Sequence, residues 1–243
     1  LEAGIEEFIF ITGRGKGAIE NYFDHSIELE SNLKDKDNLE NLNLIQKTVL
    51  KPGSVSFIRQ QRPLGLGHAV WCARNFISDE PVAVILADDL IEANPGCMKQ
   101  MIENWDGGNM VATMNVEDKD TSSYGIITPG KIIRDKIEVR GIVEKPKPKN
   151  APSNIAVVGR YIIQPSVFED LALQKKGTND EIQLTDSLSS QIGKAPFYAY
   201  NFIGTRYDCG TKIGFTKANT NFALKDDRIG KEYNDWLSSL LKN

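Results

Sequence analysis

Two aspartates follow directly after a continuous apolar run, at the point where a buried strand would end. Asp88 and Asp89 come after the run Val82 to Ala87, which is typical of a strand buried on both faces of a sheet. In open α/β sheets, ligands bind beyond the carboxyl ends of the strands. Because Mg²⁺ takes carboxylate oxygens together with waters and phosphates, Asp88 is a candidate magnesium ligand. The alternative is an aspartate that serves as a turn residue or helix N-cap, which is also common after a strand.

A glutamate and a lysine end a second predicted strand, which runs from Val139 to Lys145. Adjacent side chains on a strand face opposite ways, but at the last residues of the strand Glu144 and Lys145 can address one ligand. A glutamate accepts hydrogen bonds from sugar-like hydroxyls, and a lysine meets a phosphate. The alternative is an exposed, charged strand end that binds nothing.

A glycine-rich turn follows a third predicted strand and leads into a predicted helix. The segment Arg59 to Val70 reads RQQRPLGLGHAV. Glycine permits backbone conformations that are closed to other residues, and it lets a ligand approach the main chain. The turn is therefore a candidate binding element, although its residue types leave the ligand open.

The chain has few residues suited to covalent catalysis. His25 and His68 are its two histidines, so neither a multi-histidine metal site nor a Ser-His-Asp set is indicated. His68 lies just inside a predicted helix start, where a structural role is more common than a role as a base. Catalysis by positioning and charge suits this sequence better.

Another glycine-rich turn raises the alternative of an NAD(P) oxidoreductase. Gly13-x-Gly15-x-x-Ala18 follows a predicted strand and nominally fits the dinucleotide fingerprint G-x-G-x-x-G/A. The fingerprint also requires a second strand that ends in an acidic residue some ~20 residues further on. Glu28 to Asn43 has a helical pattern instead, so this alternative ranks third.

The composition limits the classes of protein. The chain has 243 residues, of which 40% are hydrophobic and 26% charged, and its net charge of −4 gives an isoelectric point near 5.4. These values are typical of a globular protein in water and predict neither a nucleic-acid nor a membrane partner. Cys72, Cys97 and Cys209 form no C-x-x-C motif, which indicates reduced thiols in a cytoplasm-like compartment.

Strands alternate with helical segments in the first half of the chain. The predicted strands there are Phe8 to Ile11, Val55 to Arg59, Val82 to Leu86 and Met110 to Val116. This alternation predicts an α/β fold with a Rossmann-like, doubly wound, mostly parallel mixed sheet. Beyond Asp118 the pieces are shorter and broken by turns such as Thr128-Pro129-Gly130, which predicts a smaller β-rich lobe on the same sheet. We expect one domain over residues 1–243.

Seven blocks of the sequence carry a resemblance to a known family. They are TGRGKGAIENYFD (Thr12 to Asp24), RQQRPLGLGHAV (Arg59 to Val70), EPVAVILADD (Glu80 to Asp89), VEKP (Val143 to Pro146), APSNIAVVGRY (Ala151 to Tyr161), DEIQLTD (Asp180 to Asp186) and DCGTK (Asp208 to Lys212). In these blocks, which follow the family's order and spacing over almost the whole chain, the sequence resembles the bacterial UTP:glucose-1-phosphate uridylyltransferases, or UDP-glucose pyrophosphorylases. The resemblance implies the nucleotidyltransferase fold.

The resemblance implies a base pocket and a sugar pocket. Gln60 matches a glutamine, and Gly65 a glycine with its backbone, that recognise the uracil edge in this family. Gly125 matches a backbone contact to the sugar, and Glu144 matches the group that binds the glucose hydroxyls. The turn after Arg59 would then be rich in glycine because main chain must lie against a base.

The resemblance also implies a metal site and a reaction. Asp88 matches the aspartate that holds Mg²⁺ on the phosphates, Asp208 matches a second carboxylate for that ion, and Lys145 matches the lysine near the sugar phosphate. Lys145 and Asp88 are thus the implied catalytic residues. In the implied reaction, glucose 1-phosphate attacks UTP, pyrophosphate leaves and UDP-glucose forms without a covalent enzyme intermediate. The family also implies a cytoplasmic homo-oligomer, a dimer or tetramer.

The sequence departs from the family's pattern in two places. Ala87 stands where the family usually has proline before the metal aspartate, which should change loop stiffness more than ligation. The chain opens with Leu1-Glu2-Ala3-Gly4, and the family's first strand and its G-x-G-T-R loop, which grips the triphosphate, do not occur. We therefore expect a fragment that is inactive without that segment.

Two further alternatives stay open at this point. One is a related nucleotidyltransferase that uses another base or sugar, for example dTTP. The other is a non-catalytic sugar-nucleotide-binding protein that keeps the base pocket and has lost the triphosphate loop. Binding without turnover in a chain proven complete would favour the second.

Overall fold

The computed structural model describes residues 1–177 and 180–240. The contacts within the chain group it into two compact units, Leu1–Glu80 with Gln164–Gln191 and Pro81–Ile163 with Ile192–Asn243. The single domain expected over residues 1–243 stays a prediction. No helix in the described part of the chain is long and apolar enough to cross a membrane.

The described part of the chain contains strands and helices along its whole length. The strands are β1 (Phe8–Thr12), β2 (Val55–Arg59), β3 (Val82–Ile85), β4 (Asp89–Glu92), β5 (Asn109–Asn115), β6 (Gly125–Ile133), β7 (Lys136–Glu144), β8 (Ile155–Ile163), β9 (Phe197–Asn201) and β10 (Thr205–Asp208). The helices are α1 (Gly17–Tyr22), α2 (Ile27–Asp35), α3 (Leu39–Gln46), α4 (Leu66–Cys72), α5 (Cys97–Glu103), α6 (Ser166–Ala172), α7 (Leu184–Ser190), α8 (Lys212–Lys225) and α9 (Gly230–Leu240).

The first unit pairs two strands and places the glycine-rich turn at their carboxyl end. β1 and β2 are parallel, with Phe10 opposite Phe57 and the two rings stacked at a centroid distance of 5.3 Å. β2 leads through the turn into α4, which packs against α6 and α7. At the start of α4, the backbone N–H of Gly67 donates to the carbonyl of Ile182 at 2.8 Å. The segment before α7 therefore supports the glycine-rich turn through this hydrogen bond.

The second unit is built on a six-stranded mixed sheet in the order β3-β8-β5-β9-β7-β6. β5 and β9 pair in parallel, whereas β8 runs antiparallel to both β3 and β5, and β7 runs antiparallel to both β6 and β9. The predicted mixed sheet is confirmed. Antiparallel pairing is more extensive than the strand–helix alternation predicts, because β8 inserts between β3 and β5. β4 and β10 form a separate antiparallel pair.

The core of the second unit lies on neighbouring strands of this sheet. Met110 and Val111 in β5, Ile126 and Ile127 in β6, and Ile163 in β8 have no exposed surface. Each such burial stabilises the fold by about 1.5–3 kcal/mol relative to an exposed side chain. This core holds β6 in register with β7, and the ends of these strands carry the candidate sugar-binding residues.

Two local predictions are wrong. Thr128-Pro129-Gly130 does not end a strand but lies inside β6, where the register with β7 shifts at Pro129, since proline has no N–H to donate and is accommodated at a bulge. The segment Glu181 to Gln191 has a helical pattern in the sequence, but the helix α7 begins only at Leu184. The first residues of this segment are extended because Ile182 exchanges backbone hydrogen bonds with the glycine-rich turn.

We predict that Gly67→Ala destabilises the first unit. A Cβ at this position would lie 2.8 Å from the carbonyl oxygen of Ile182 and 2.9 Å from Cδ2 of Leu171. Such overpacking costs about 1–3 kcal/mol. The matched control is Gly17→Ala, another helical glycine, whose added Cβ would meet nothing within 4 Å. Urea unfolding should show a lower midpoint for Gly67→Ala alone, and equal midpoints would contradict the prediction.

Candidate active site

Two carboxylates converge beside Gly210. Asp88 follows β3, and Asp208 is the last residue of β10, which pairs with β4. The backbone N–H of Cys209 donates to the carbonyl of Asp88 at 2.7 Å and so ties the two loops together. A Cβ on Gly210 would lie 3.1 Å from Oδ1 of Asp208 and 3.2 Å from Oδ2 of Asp88. We call this space between the two carboxylate oxygens the acidic cradle.

The neighbouring carboxylate, Asp89, is buried and bound by the protein itself. Its Oδ2 accepts a hydrogen bond from the backbone N–H of Gly159 at 2.7 Å, and its Oδ1 accepts one from Nε of Arg206 at 2.5 Å. Asp88, in contrast, is exposed. Of the two adjacent aspartates, Asp88 is therefore the one available to a ligand.

Arg160 fixes the backbone on both sides of Asp88. Its Nη1 donates to the carbonyl of Leu86 at 3.1 Å, and its Nη2 donates to the carbonyl of Asp89 at 2.7 Å. Burial lowers the pKa of the Arg160 guanidinium from its ordinary value, but arginine stays charged in proteins. Arg160 therefore stabilises the turn between β3 and β4, in which position 87 is an alanine and not a proline.

Arg206 connects the acidic cradle to the region of the candidate sugar site. It forms an ion pair with Asp89, its Nη2 lies 3.8 Å from Oδ2 of Asp208, and its Nη1 donates to the hydroxyl of Tyr124 at 3.0 Å. The sequence prediction missed both Arg206 and Tyr124. One signal for Arg206 existed, since residues two apart on a strand share a face and Arg206 stands two positions before Asp208.

The predicted sugar-site residues come together at the adjoining ends of β6 and β7. Gly125 lies opposite Glu144 in the β6–β7 pair, and Nζ of Lys145 is 3.7 Å from Oε1 of Glu144. Lys145 has a left-handed backbone conformation with φ of 48°, which is uncommon outside glycine. Its N–H donates to the carbonyl of Tyr124 at 2.9 Å. The chain turns at Lys145, and the charged groups of Glu144 and Lys145 lie close together at the strand end. That they address one ligand stays a prediction.

The glycine-rich turn in the first unit holds the Gln60 side chain in one orientation. Its Nε2 lies 3.1 Å from the carbonyl oxygen of Gly65 and 2.9 Å from Nδ1 of His68. Burial, aided by the positive charge of Arg74, lowers the pKa of His68 from its usual value. His68 is therefore neutral at pH 7 and accepts the hydrogen bond from Gln60, which makes it a positioning residue.

The seven predicted site residues fall into two groups, one in each compact unit. Gln60 and Gly65 contact each other in the first unit. The second unit contains the other five, which form the acidic cradle and the candidate sugar site: Asp88, Asp208, Gly125, Glu144 and Lys145. Within each unit, the structure brings together the residues that the resemblance assigned to a common ligand.

Comparison with known sequences identifies the family. The profile of a family described as nucleotidyl transferase matches residues 4–224. The chain is 40% identical over 243 residues to the UTP–glucose-1-phosphate uridylyltransferase of Bacillus subtilis (strain 168), a match that covers 99% of this chain and 83% of that protein. It is 42% identical over 218 residues to the protein of the same name from Komagataeibacter xylinus, which covers 89% of this chain and 77% of that protein.

Comparison with solved structures gives the same result. A UDP-glucose pyrophosphorylase complexed with UDP-glucose is 38% identical, with a TM-score of 0.81 over 93% of this chain and 83% of that chain. A UTP-bound UGPase from Acinetobacter baumannii is 35% identical, with a TM-score of 0.87 over 98% of this chain and 84% of that chain. A putative glucose-1-phosphate thymidylyltransferase from Bacillus anthracis is only 21% identical, with a TM-score of 0.67, and shares the fold.

These matches confirm the α/β nucleotidyltransferase fold and give no support to an NAD(P) oxidoreductase. β2 ends at Arg59, which is not the acidic residue that a dinucleotide-binding strand requires. The chain belongs to the nucleotidyl transferase family and, within it, to the UTP–glucose-1-phosphate uridylyltransferases.

Proposed function

We propose that this chain transfers a uridylyl group from UTP to glucose 1-phosphate, which gives UDP-glucose and pyrophosphate. The observation that carries the proposal is the convergence of Glu144 and Lys145 opposite Gly125. A carboxylate with 11% of its side chain exposed and an ammonium group 3.7 Å away suit a sugar phosphate, because its hydroxyls donate hydrogen bonds and its phosphate attracts a cation. The relatives at 40% identity are named for this activity.

The reaction requires positioning and charge from the protein and no covalent bond to it. A phosphate oxygen of glucose 1-phosphate attacks the α-phosphorus of UTP in line, and the bond to the leaving pyrophosphate oxygen breaks with its electron pair. Two anionic phosphates repel each other, so catalysis depends on fixed attack geometry and on nearby positive charge. Lys145 supplies that charge, and its backbone N–H bond to Tyr124 restricts where the ammonium group lies.

We propose that Asp88 and Asp208 hold a magnesium ion. One oxygen of each carboxylate lies within 3.2 Å of the same point beside Gly210, so both carboxylates border the same space. Among residues 1–177 and 180–240, no three His, Cys, Asp or Glu side chains are grouped to hold a metal. A two-carboxylate set suits Mg²⁺, which keeps waters and takes substrate phosphates as its other ligands. The bound ion would offset phosphate charge.

The orientation of Gln60 favours a base that offers an N–H group. Both neighbours of Nε2, the Gly65 carbonyl and neutral His68, are acceptors, so the amide oxygen faces the other way. An acceptor there suits the N3–H of uracil and rejects cytosine, whose N3 is itself an acceptor. Sites built around such a hydrogen bond discriminate strongly against analogues that cannot form it.

Turnover with a panel of nucleotides tests the proposed function. Pyrophosphate release from glucose 1-phosphate with UTP, dTTP or CTP should be fastest with UTP. Faster turnover with dTTP would support the related nucleotidyltransferase, and saturable UDP-glucose binding without turnover in a chain proven complete would support the non-catalytic binding protein. We also propose that the protein is cytoplasmic and forms a homo-oligomer, a dimer or tetramer. Sedimentation of the purified protein can check the oligomeric state.

Glu144→Ala should raise KM for glucose 1-phosphate about 10- to 100-fold and leave KM for UTP nearly unchanged. Hydrogen bonds to a charged group contribute about 1.5–3 kcal/mol each, and the sugar hydroxyls lose this acceptor. The control is Glu138→Ala, since Glu138 is an exposed carboxylate on the same strand, β7. Steady-state kinetics with each substrate varied in turn decides the matter. Equal changes in the two KM values would contradict the sugar-site assignment.

Gly210→Ala should raise the Mg²⁺ concentration required for half-maximal activity about 10- to 100-fold, as changes beside metal ligands commonly do. The added methyl group fills the acidic cradle, and φ at this position does not lie in the left-handed region, so the backbone accepts alanine. Gly17→Ala serves again as the control. A Mg²⁺ titration of turnover is the measurement, and an unchanged half-saturation point would argue against the cradle as the metal site.

A further inference from the structure

The guanidinium of Arg206 lies between groups that the proposed reaction assigns to the metal and groups that it assigns to the sugar. We propose that Arg206 is a positioning residue that couples the magnesium carboxylate Asp208 to the sugar pocket through Tyr124. The inference rests on the proposed function, because both sites belong to that reaction. In this role, Arg206 acts on the ligands through Asp208 and Tyr124 and does not contact them itself.

On the metal side, Arg206 orients the carboxylate of Asp208. Oδ1 of Asp208 accepts the backbone N–H of Gly210 at 3.1 Å and borders the acidic cradle. Oδ2 is 3.8 Å from Nη2 of Arg206, which is too long for a hydrogen bond but close enough for strong attraction between charges. The arginine therefore draws Oδ2 to one side, and Oδ1 remains beside Asp88.

On the sugar side, Arg206 fixes Tyr124. Nη1 donates to the tyrosine hydroxyl at 3.0 Å, and the guanidinium carbon lies 5.2 Å from the centroid of the ring, within the range of a cation–π interaction. The carbonyl of Tyr124 accepts the N–H of Lys145, and Gly125, the next residue, lies opposite Glu144. A shift of Tyr124 would therefore move the backbone that places the sugar-site residues.

The coupling requires the shape of an arginine. Asp89 anchors Nε and Nη2, and the side chain is 11% exposed, so the planar fork cannot rotate freely. The guanidinium then presents its N–H groups in fixed directions, toward Asp208 on one side and Tyr124 on the other. A lysine offers one point charge on a flexible stem and cannot reach the same partners together.

Two substitutions separate the two halves of the proposed coupling. Arg206→Lys keeps the charge and loses the fork, so both the Mg²⁺ half-saturation concentration and KM for glucose 1-phosphate should rise, each about 10- to 100-fold. Tyr124→Phe removes only the hydroxyl, so KM for glucose 1-phosphate should rise while Mg²⁺ half-saturation stays within about twofold of wild type. The control Arg140→Lys changes an exposed arginine and should alter neither value.

Two direct binding measurements keep the inference separate from the proposed function. In Mn²⁺ titrations followed by electron paramagnetic resonance with UDP-glucose present, Arg206→Lys should bind the ion about 10- to 100-fold more weakly than wild type. In calorimetry, Tyr124→Phe should bind UDP-glucose more weakly than wild type. Absence of turnover in a chain proven complete would refute the proposed function, whereas these two comparisons measure binding and would still decide the role of Arg206.

Specific results would overturn the inference. The proposed link between Arg206 and the metal site would be refuted if Arg206→Lys binds Mn²⁺ as tightly as wild type. It would also be refuted if the wild-type protein binds no Mn²⁺. The proposed link between Arg206 and the sugar pocket would be refuted if Tyr124→Phe binds UDP-glucose with unchanged affinity. If thermal melts show that Arg206→Lys does not fold, Tyr124→Phe alone decides, because a merely structural arginine predicts unchanged UDP-glucose affinity for that variant.

Discussion

The buried carboxylate of Asp89 fixes three strands of the second unit relative to one another. It begins β4, accepts the backbone N–H of Gly159 in β8, and pairs with Arg206 in β10. The approach to β8 requires glycine, since a Cβ at position 159 would lie 2.5 Å from Oδ2 of Asp89. Removing one partner from a buried ion pair costs about 3–5 kcal/mol, because the other charge is left uncompensated. This interaction therefore determines where β10 ends and where Asp208 lies.

Two adjacent aspartates have opposite roles because they lie in different local structures. Asp88 lies in the turn between β3 and β4, whereas Asp89 is the first residue of β4. Asp89 is bound by protein partners and is not available to a ligand, whereas Asp88 is exposed beside the acidic cradle. The Asp-Asp pair that follows β3 is thus one structural and one candidate functional group.

Local patterns predicted the features that depend on neighbouring residues. The apolar run before Asp88 and the charged end of β7 at Glu144 were recognisable because each is a short stretch with a clear boundary. The contacts of Arg206 were not, since its partners Asp89 and Tyr124 are 117 and 82 positions away. The register between distant strands determines such contacts, and periodicity within one strand does not specify it. The four residues of β4 were also too short a pattern to predict.

The glycines of the turn after β2 have a cause that the sequence interpretation did not consider. A Cβ on Gly65 would lie 2.7 Å from the carbonyl oxygen of Ile182, and a Cβ on Gly67 would lie 2.8 Å from the same atom. Close packing within the first unit therefore requires both glycines, whether or not a base lies against the turn.

Glycine content at this turn is consequently weak evidence for a nucleotide, and specific recognition must come from a side chain. Gln60 is the residue that we propose for this role, because the Gly65 carbonyl and neutral His68 together fix which end of its amide is the acceptor. Packing on Ile182 and the orientation of Gln60 depend on the same short segment, since Gly65 takes part in both. The turn is closely packed for structural reasons, and in the proposed function this packing would hold a single amide in the orientation that selects a base by its hydrogen-bonding edge.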